Sequence, residues 1–266
     1  MMLCKSIMTD KELLSGVTVI TDVSDGAKRK YWVLKNGKKY LLKVSKVHYN
    51  GELTQEHVSE YLTMKIANAL DIPCVNILLG GSAILSEVML NEEVQSFIEY
   101  SEEFSHSFHL SNLQTFNVST LLNPDNNMYV SDVVTMLLFD AFIGNSDRHP
   151  GNFGITSHGF YPLFDNGSSL LAYVKEGDLS SYLNDEMRFR SCMYTKSKPV
   201  LRDNQKLTHK ELVDILRVKH RDVFMSFSNR VMQLDIRTLL SDLPISEERK
   251  KLLFKFLSER VLWFGG

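Results

Sequence analysis

The 266-residue sequence predicts an α+β fold of two lobes. Residues 1–90 are expected to form a small antiparallel sheet with one helix, and residues 91–266 a larger, mostly helical lobe. Short extended runs joined by a tight turn occupy residues 17–44, and apolar residues then recur at helical spacing. Long helical patterns dominate the second half, where they flank a loop rich in Asp, Asn and Gly. These observations together separate a sheet-forming part from a helix-forming part.

Composition and charge limit the class of protein. Hydrophobic residues make up 44% of the chain and charged residues 23%, as in ordinary soluble globular proteins. The formal net charge of −2 provides no overall attraction to nucleic acids or anionic membranes, so neither is an expected partner. The first ten residues lack the apolar core of a signal peptide, and no run is long enough to span a membrane. Cys4, Cys74 and Cys192 are odd in number and scattered, which indicates reduced thiols and a cytoplasmic location.

The first element predicted is an antiparallel meander. Its strands are residues 17–21, 31–34 and 39–44, and Asn36-Gly37 between the last two is a strong hairpin signal. The turn before the second strand, residues 24–30, contains three basic residues and a single glycine. This turn is where a nucleotide-binding sheet would cover the phosphates, with Ser24 and Gly26 as candidate contacts. It lacks the G-x-G-x-x-G pattern, and a plain polar turn is the alternative.

Lys43, in the third strand, is the candidate for binding the α- and β-phosphates of a nucleotide. Its neighbours are apolar, so it is either a solvated edge residue or a buried cation with an acidic partner. The next element is predicted to be a helix over residues 54–70 with Thr54 as its N-cap. Glu52, Glu56 and Glu60 are each four residues apart, so spacing alone does not choose the partner.

Two further short strands, residues 75–79 and 82–89, flank Gly80-Gly81 and complete a five-stranded sheet. The chain would then cross to the larger lobe, and the backbone near Glu87 and Met89 is the candidate contact for adenine. An ordinary exit from a strand is the alternative at this position.

The strongest functional signal follows a helix predicted over residues 128–143, which is apolar on almost every face and ends at Gly144-Asn145. Asp147 and Asn152 lie in the next loop, and a predicted hairpin over residues 153–164 returns the chain to Asp165. An acid that orients an attacking hydroxyl, with an amide and a second acid that hold Mg²⁺, is what phosphoryl transfer requires. Asp147 is the candidate base, and Asn152 and Asp165 are the candidate metal ligands. Ordinary loop composition is the alternative.

The stretch from 170 to 206 is predicted to be a long irregular loop that is rich in basic residues. It would receive an acidic or phosphorylated partner, although a solvated basic surface explains it equally well. Helices are predicted over residues 208–218 and 222–232, and a last helix follows Pro244-Ile245-Ser246.

Two segments, GNSDRHPGNFGI at 144–155 and YPLFDNGSSL at 161–170, resemble the C-terminal motif of the HipA-type bacterial serine/threonine kinases. The resemblance is greatest to their compact CtkA-like and HipT-like branch. It implies a protein-kinase-like fold in which Asp147 is the catalytic base and Asn152 and Asp165 bind metal. The segment SEYLTMKIANALDI at 59–72 is similar to the helix that follows the phosphate-binding lysine in this family, and this similarity selects Glu60 as the partner of Lys43.

The resemblance also implies an ATP- and Mg²⁺-dependent kinase acting on serine or threonine of a protein substrate. It further implies a toxin of a toxin–antitoxin system or an effector moved into a host cell, a small antitoxin-type partner, and autophosphorylation of Ser24. Asp147-Arg148-His149 with Asn152 also resembles the catalytic loop of phosphoinositide kinases, so a lipid kinase is one rival. A nucleotide-binding module without catalytic activity is the other, because the phosphate-covering turn is sparse in glycine.

Overall fold

The computed structural model describes residues 7–24, 29–88, 95–96, 116–117, 122, 129–156, 159–202 and 205–265. In the first part of the chain it contains α1 (Asp10–Leu14), β1 (Thr18–Asp22), β2 (Lys30–Lys35), β3 (Lys38–Val44), α2 (Glu56–Ala69), β4 (Ile77–Leu79) and β5 (Ala83–Glu87). The five strands form one antiparallel sheet in the order β1-β2-β3-β5-β4, which confirms the predicted sheet. Asn36 and Gly37 have φ angles of 50° and 76°, as the predicted hairpin turn requires.

The predicted cap of α2 is wrong. The N-cap is Gln55, which makes no capping hydrogen bond with its side chain. The Thr54 hydroxyl lies one residue before the cap and donates to the Glu56 carboxylate at 2.8 Å.

The second part of the chain is mostly helical, as predicted. It contains β6 (Gln95–Ser96), β7 (Phe116–Asn117), α3 (Val130–Ile143), β8 (Gly154–Thr156), β9 (Gly159–Phe160), α4 (Leu179–Asn184), α5 (Glu186–Met193), β10 (Lys196–Arg202), β11 (Gln205–Thr208), α6 (His209–Lys219), α7 (Arg221–Met232), α8 (Ile236–Ser241) and α9 (Glu247–Val261). The loop after α3, residues 144–152, is called the polar loop. The predicted hairpin that follows it is formed by β8 and β9, which pair Ile155 with Phe160. The boundary predicted at residue 90 lies outside the described residues and stays a prediction.

The irregular loop predicted from 170 to 206 is not observed. The stretch instead forms α4, α5 and β10, and β10 pairs with β11 on one side and with β7 on the other. Its first residues are held by Arg249 of α9, whose buried guanidinium donates to the Glu176 carboxylate and to the Val174 carbonyl. Contacts to a residue more than seventy positions away therefore order a segment whose local sequence is polar.

The sheet packs on both of its faces. Alternate residues of β5 point to opposite sides, so Leu85 enters a small core with Leu13 of α1, and Ile84 enters a large core with α2. The large core continues from α2 through α3 to α6, α7 and α9 without interruption. In the described ranges no helix is both long enough and apolar enough to cross a membrane.

Gly144 ends α3 in the left-handed region, at φ 71°. A Cβ atom there would lie 2.8 Å from the ring of Phe256 in α9, so this position requires glycine for its conformation and for space. The last helix thus packs directly on the start of the polar loop and fixes where that loop begins.

Candidate active site

One cleft, between the sheet and the helical lobe, brings together four of the predicted functional residues. Lys43 reaches it from β3, Glu60 from α2, Asp147 from the loop after α3, and Asp165 from the segment after β9. Lys43 Nζ lies 2.6 Å from Glu60 Oε1 and 2.9 Å from Asp165 Oδ1, so the ion pair predicted between Lys43 and Glu60 is present. Residues from four distant parts of the chain therefore line one cleft, and three of them, Lys43, Glu60 and Asp165, are joined by hydrogen bonds.

The two carboxylates determine the charge state of Lys43. Burial alone lowers the pKa of its ammonium group, but the negative charges of Asp165 and Glu60 outweigh burial and raise the pKa above the ordinary value. Lys43 is therefore a permanent cation at physiological pH. A buried cation between two anions is what a phosphate-binding lysine needs before the nucleotide arrives.

The backbone on both sides of Asp165 is held in place. Asp165 has a φ of 54°, in the region that favours glycine, which costs roughly 1–3 kcal/mol and persists only where neighbouring contacts enforce it. The Phe164 carbonyl accepts a hydrogen bond from Arg148 at 2.9 Å, and the Asn166 N–H donates to Glu60 Oε2 at 3.0 Å. Glu60 thus has two functions, because one carboxylate oxygen binds Lys43 and the other fixes the segment that carries Asp165.

Arg148 is the centre of the site, and the sequence analysis did not identify this role. Its fully buried guanidinium forms a bidentate ion pair with Asp140 of α3, at 2.8 and 2.9 Å. The same group donates to the Asn152 carbonyl at 2.8 Å and to the Asn166 side-chain oxygen at 2.5 Å. Through these bonds and the one to Phe164, Arg148 joins α3, the polar loop and the Asp165 segment into one unit.

The loop that carries Asp147 is closed by amide hydrogen bonds. The Asp147 N–H donates to Asn145 Oδ1 at 3.0 Å, and the Asn152 side-chain nitrogen donates to the Asp147 carbonyl at 3.0 Å. The Asn152 amide nitrogen is therefore committed to the loop, which leaves its oxygen as the atom suited to a cation. The backbone of the candidate base is restrained from both sides.

His209 also fixes the loop that carries Asp147, a role that the sequence did not predict. Its Nε2 lies 2.9 Å from the Asn145 carbonyl, which can only accept, so Nε2 carries the proton. Nδ1 is then an acceptor for the Thr195 hydroxyl at 3.2 Å. Burial, and next the positive charge of Arg260, lower the pKa of His209 to about 3, so the ring is neutral at physiological pH.

Asn152 and Asp165 offer two oxygen ligands, which suits Mg²⁺ better than a metal that takes all of its ligands from the protein. In the described part of the chain no three His, Cys, Asp or Glu side chains form a group that could hold a metal ion. Mg²⁺ is commonly bound by one or two protein ligands together with substrate phosphates and waters. The Asp165 carboxylate, beside Lys43, and the Asn152 amide oxygen, in the loop that carries Asp147, are donors of that kind.

The remaining predicted contacts lie elsewhere or outside the described residues. Ser24 is absent from the described lining of the cleft, and its hydroxyl closes the turn by bonding both backbone groups of Lys30. The Glu87 carboxylate binds Lys38 and Asn76, and the Glu87 N–H donates to the Asn76 carbonyl. Gly26 and Met89 lie outside the described residues. The proposed phosphate and adenine contacts of these four positions stay predictions.

Two basic residues of the turn predicted to cover the phosphates lie at the cleft. Arg29 and Lys30, at the end of the covering turn, line the cleft together with Lys43. Lys30 Nζ lies 3.6 Å from Asp165 Oδ2. Side-chain cations therefore flank the position where a glycine-rich loop would place backbone N–H groups.

The fold and the site define a protein of the kinase-like class. No family model matches the chain. The chain is 23% identical over 234 residues to the serine/threonine-protein kinase CtkA of Helicobacter pylori, an alignment that covers 80% of this chain and 72% of that protein. The crystal structure of that proinflammatory kinase superposes with a TM-score of 0.75 at 19% identity, over 92% of this chain and 91% of CtkA. The chain is therefore a homologue of the serine/threonine-protein kinase CtkA and has its fold.

A weaker similarity links the chain to HipA of Shewanella oneidensis, solved with HipB and operator DNA. The TM-score is 0.49 at 14% identity, and the match covers 91% of this chain and 64% of HipA.

Proposed function

We propose that the protein is an ATP- and Mg²⁺-dependent kinase that phosphorylates serine or threonine hydroxyls of a protein substrate. The observation that carries the proposal is the convergence of Lys43, Glu60, Asp147 and Asp165 on one cleft. A kinase homologue whose lysine, base and metal ligand had diverged would not retain this arrangement.

Each side chain has a role in phosphoryl transfer. Lys43, positioned by Glu60, binds the nucleotide phosphates and offsets their charge. Asn152 and Asp165 would hold Mg²⁺, which would supply positive charge beside the phosphate oxygens. Asp147 would orient the acceptor hydroxyl and accept its proton as the oxygen attacks the γ-phosphorus and the bond from that phosphorus to the leaving ADP breaks. The lipid-kinase rival and the non-catalytic rival receive no support from the homology to a serine/threonine-protein kinase.

The test is transfer of labelled phosphate from ATP to protein, with and without Mg²⁺. Asp147→Asn and Asp165→Asn should each lower turnover by about 10²–10⁴-fold or more. Mg²⁺-dependent binding of a fluorescent ATP analogue should be weakened by Asp165→Asn and retained by Asp147→Asn. Asp214→Asn removes a carboxylate that forms a surface ion pair with Lys210 and is the matched control. Turnover near that of the wild type in either site variant would refute the assignment.

Autophosphorylation of Ser24 belongs to the same proposal. The Ser24 hydroxyl bonds the backbone N–H and carbonyl of Lys30, whose ammonium group lies near Asp165. A phosphate on Ser24 would add about −1.5 to −2 charges and break the hydroxyl donation to the Lys30 carbonyl. The turn would then leave the cleft, and the modification would lower nucleotide binding.

A role as a toxin or a translocated effector, with a small antitoxin-type partner and a bacterial cytoplasmic origin, follows from family resemblance alone. Co-purification of the tagged chain with the product of an adjacent small gene tests the partner. Growth arrest that depends on Asp147 would support the toxin role, and growth arrest by Asp147→Asn as well would argue against it.

A further inference from the structure

A second depression lies on the other side of the candidate base. It is lined by Ser146, Asp147, Ser168, Tyr173, Lys196 and Lys206. Asp147 and Ser168 also line the nucleotide cleft, so the two depressions meet at these residues. A group that reaches Asp147 from this side would face the nucleotide across the carboxylate, which is the position an acceptor hydroxyl must occupy.

The second depression has an excess of positive charge. Lys196 and Lys206 are exposed, and neither forms an ion pair with another residue in the part of the chain that the structure describes. Asp147 is the single carboxylate in its described lining. The Tyr173 hydroxyl donates to Glu56 at 2.8 Å and adds no charge of its own. Two cations and one anion, the anion being the base itself, favour an acceptor that is acidic.

The two lysines have a fixed position relative to the loop that carries Asp147. Lys196 pairs with Thr208 across β10 and β11, and Lys206 lies two residues before Thr208, so both lysines are on one face of the hairpin. His209 follows Thr208 and bonds both Thr195 and the Asn145 carbonyl. The hairpin that carries the lysines is thus fixed to the loop that carries Asp147.

We propose that this depression binds the acceptor peptide and that Lys196 and Lys206 select serine or threonine residues with an anionic side chain nearby in sequence. The inference rests on the proposed kinase activity and names the substrate class of that site. Asp147 and the two lysines line one depression, so the anionic group should lie within a few residues of the acceptor in an extended peptide. Aspartate, glutamate and a phosphorylated residue share the required chemistry.

The experiment compares four peptides with one acceptor serine each. They differ only in the residue beside that serine, which is aspartate, asparagine, lysine or phosphoserine. The measured quantity is the ratio of kcat/KM for each charged peptide to that for the asparagine peptide. We expect a preference of about three- to tenfold for the aspartate peptide, since exposed charge pairs contribute modestly, and the preference should fall as salt is raised. A larger ratio for the phosphoserine peptide would identify a previously phosphorylated acceptor.

The double variant Lys196→Glu/Lys206→Glu should lose the preference for aspartate and favour the lysine peptide, with the change mainly in KM. Lys219→Glu/Lys251→Glu changes the net charge equally at two exposed lysines outside both depressions and should keep the wild-type ratio. Equal kcat/KM values for the aspartate and asparagine peptides in the wild type would overturn the inference while the kinase activity stands.

Binding separates the two proposals. A fluorescent aspartate peptide that binds through the lysines, without any phosphate transfer to protein or peptide, would overturn the kinase activity and retain the anionic-peptide site. Unfolding curves of both double variants should match that of the wild type, because all four lysines are exposed. A preference that survives the first double variant with an intact fold would exclude these lysines as its origin.

Discussion

Replacing Arg148 by methionine tests the buried network that holds the active site together. Arg148 and Asp140 are 0% and 1% exposed, and the guanidinium makes the bidentate pair with Asp140 and three further hydrogen bonds. The variant keeps a similar apolar stem but leaves the Asp140 carboxylate buried beside a single remaining side-chain donor, Asn145, at 3.1 Å. Removal of one partner of a buried pair costs about 3–5 kcal/mol. That loss is a large fraction of the roughly 5–15 kcal/mol by which proteins are stable.

Urea and thermal unfolding measure the loss, and about 10 °C in Tm is expected for a chain of this size. Arg190→Met is the control, because Arg190 forms an exposed ion pair with Glu186 that contributes little to stability. Arg148→Met with Asp140→Leu removes both charges and should recover most of the stability. Turnover should stay low, since the carbonyls of Asn152 and Phe164 still lack their donor. A cost below about 1 kcal/mol for the single variant, or recovered turnover in the double variant, would refute the reasoning.

Three further predictions concern individual groups. Lys43→Met should lower turnover strongly and Glu60→Gln more mildly, because Glu60 positions the lysine; the KM for ATP and kcat, measured with circular dichroism as a fold check, test both. The pKa of His209 is lowered to about 3 in the folded chain, so the unfolded chain binds more protons as the pH drops below about 6.5. The free energy of unfolding should therefore decrease by about 2 kcal/mol as the pH is lowered from 7 to 5. Urea unfolding between pH 7 and 5 should show a smaller pH dependence of the unfolding free energy in His209→Gln than in the wild type. The same pH dependence in both proteins would contradict this prediction. Mass spectrometry should find phosphate on Ser24 in active protein and none in Asp147→Asn protein; phosphate in both would indicate another kinase, and absence from both rules the mechanism out.

Elements with strong local signals could be predicted from the sequence. The sheet followed from alternation and from Asn36-Gly37, and α3 followed from an apolar run that ends at Gly144. The partner of Lys43 was harder to predict, because helical spacing alone left three glutamates as possible partners. The structure shows why all three are used: Glu60 binds Lys43, Glu56 binds Lys46 at 3.3 Å, and the Glu52 carboxylate accepts the Glu176 N–H at 2.5 Å.

Polar groups with partners distant in the sequence could not be predicted. Arg148, His209 and Arg249 are buried and bond to carbonyls or carboxylates that only the folded chain brings near. The short helices α4 and α5 depend on such anchoring, so their polar sequence resembled a loop. One local signal was overlooked, since Thr9 and Glu12 form a capping box that begins α1.

The shared large core has a consequence for how the protein unfolds and how it can be divided. α2 precedes the cleft in the chain, yet its buried residues Val58, Leu62 and Ile66 belong to the same cluster as α3 and α9. A fragment that ended near residue 90 would expose this apolar face to water, and the remainder would lose one wall of its interior. Limited proteolysis should therefore yield no stable fragment of either lobe, and calorimetry should show one cooperative transition in which the sheet and the helical lobe unfold together.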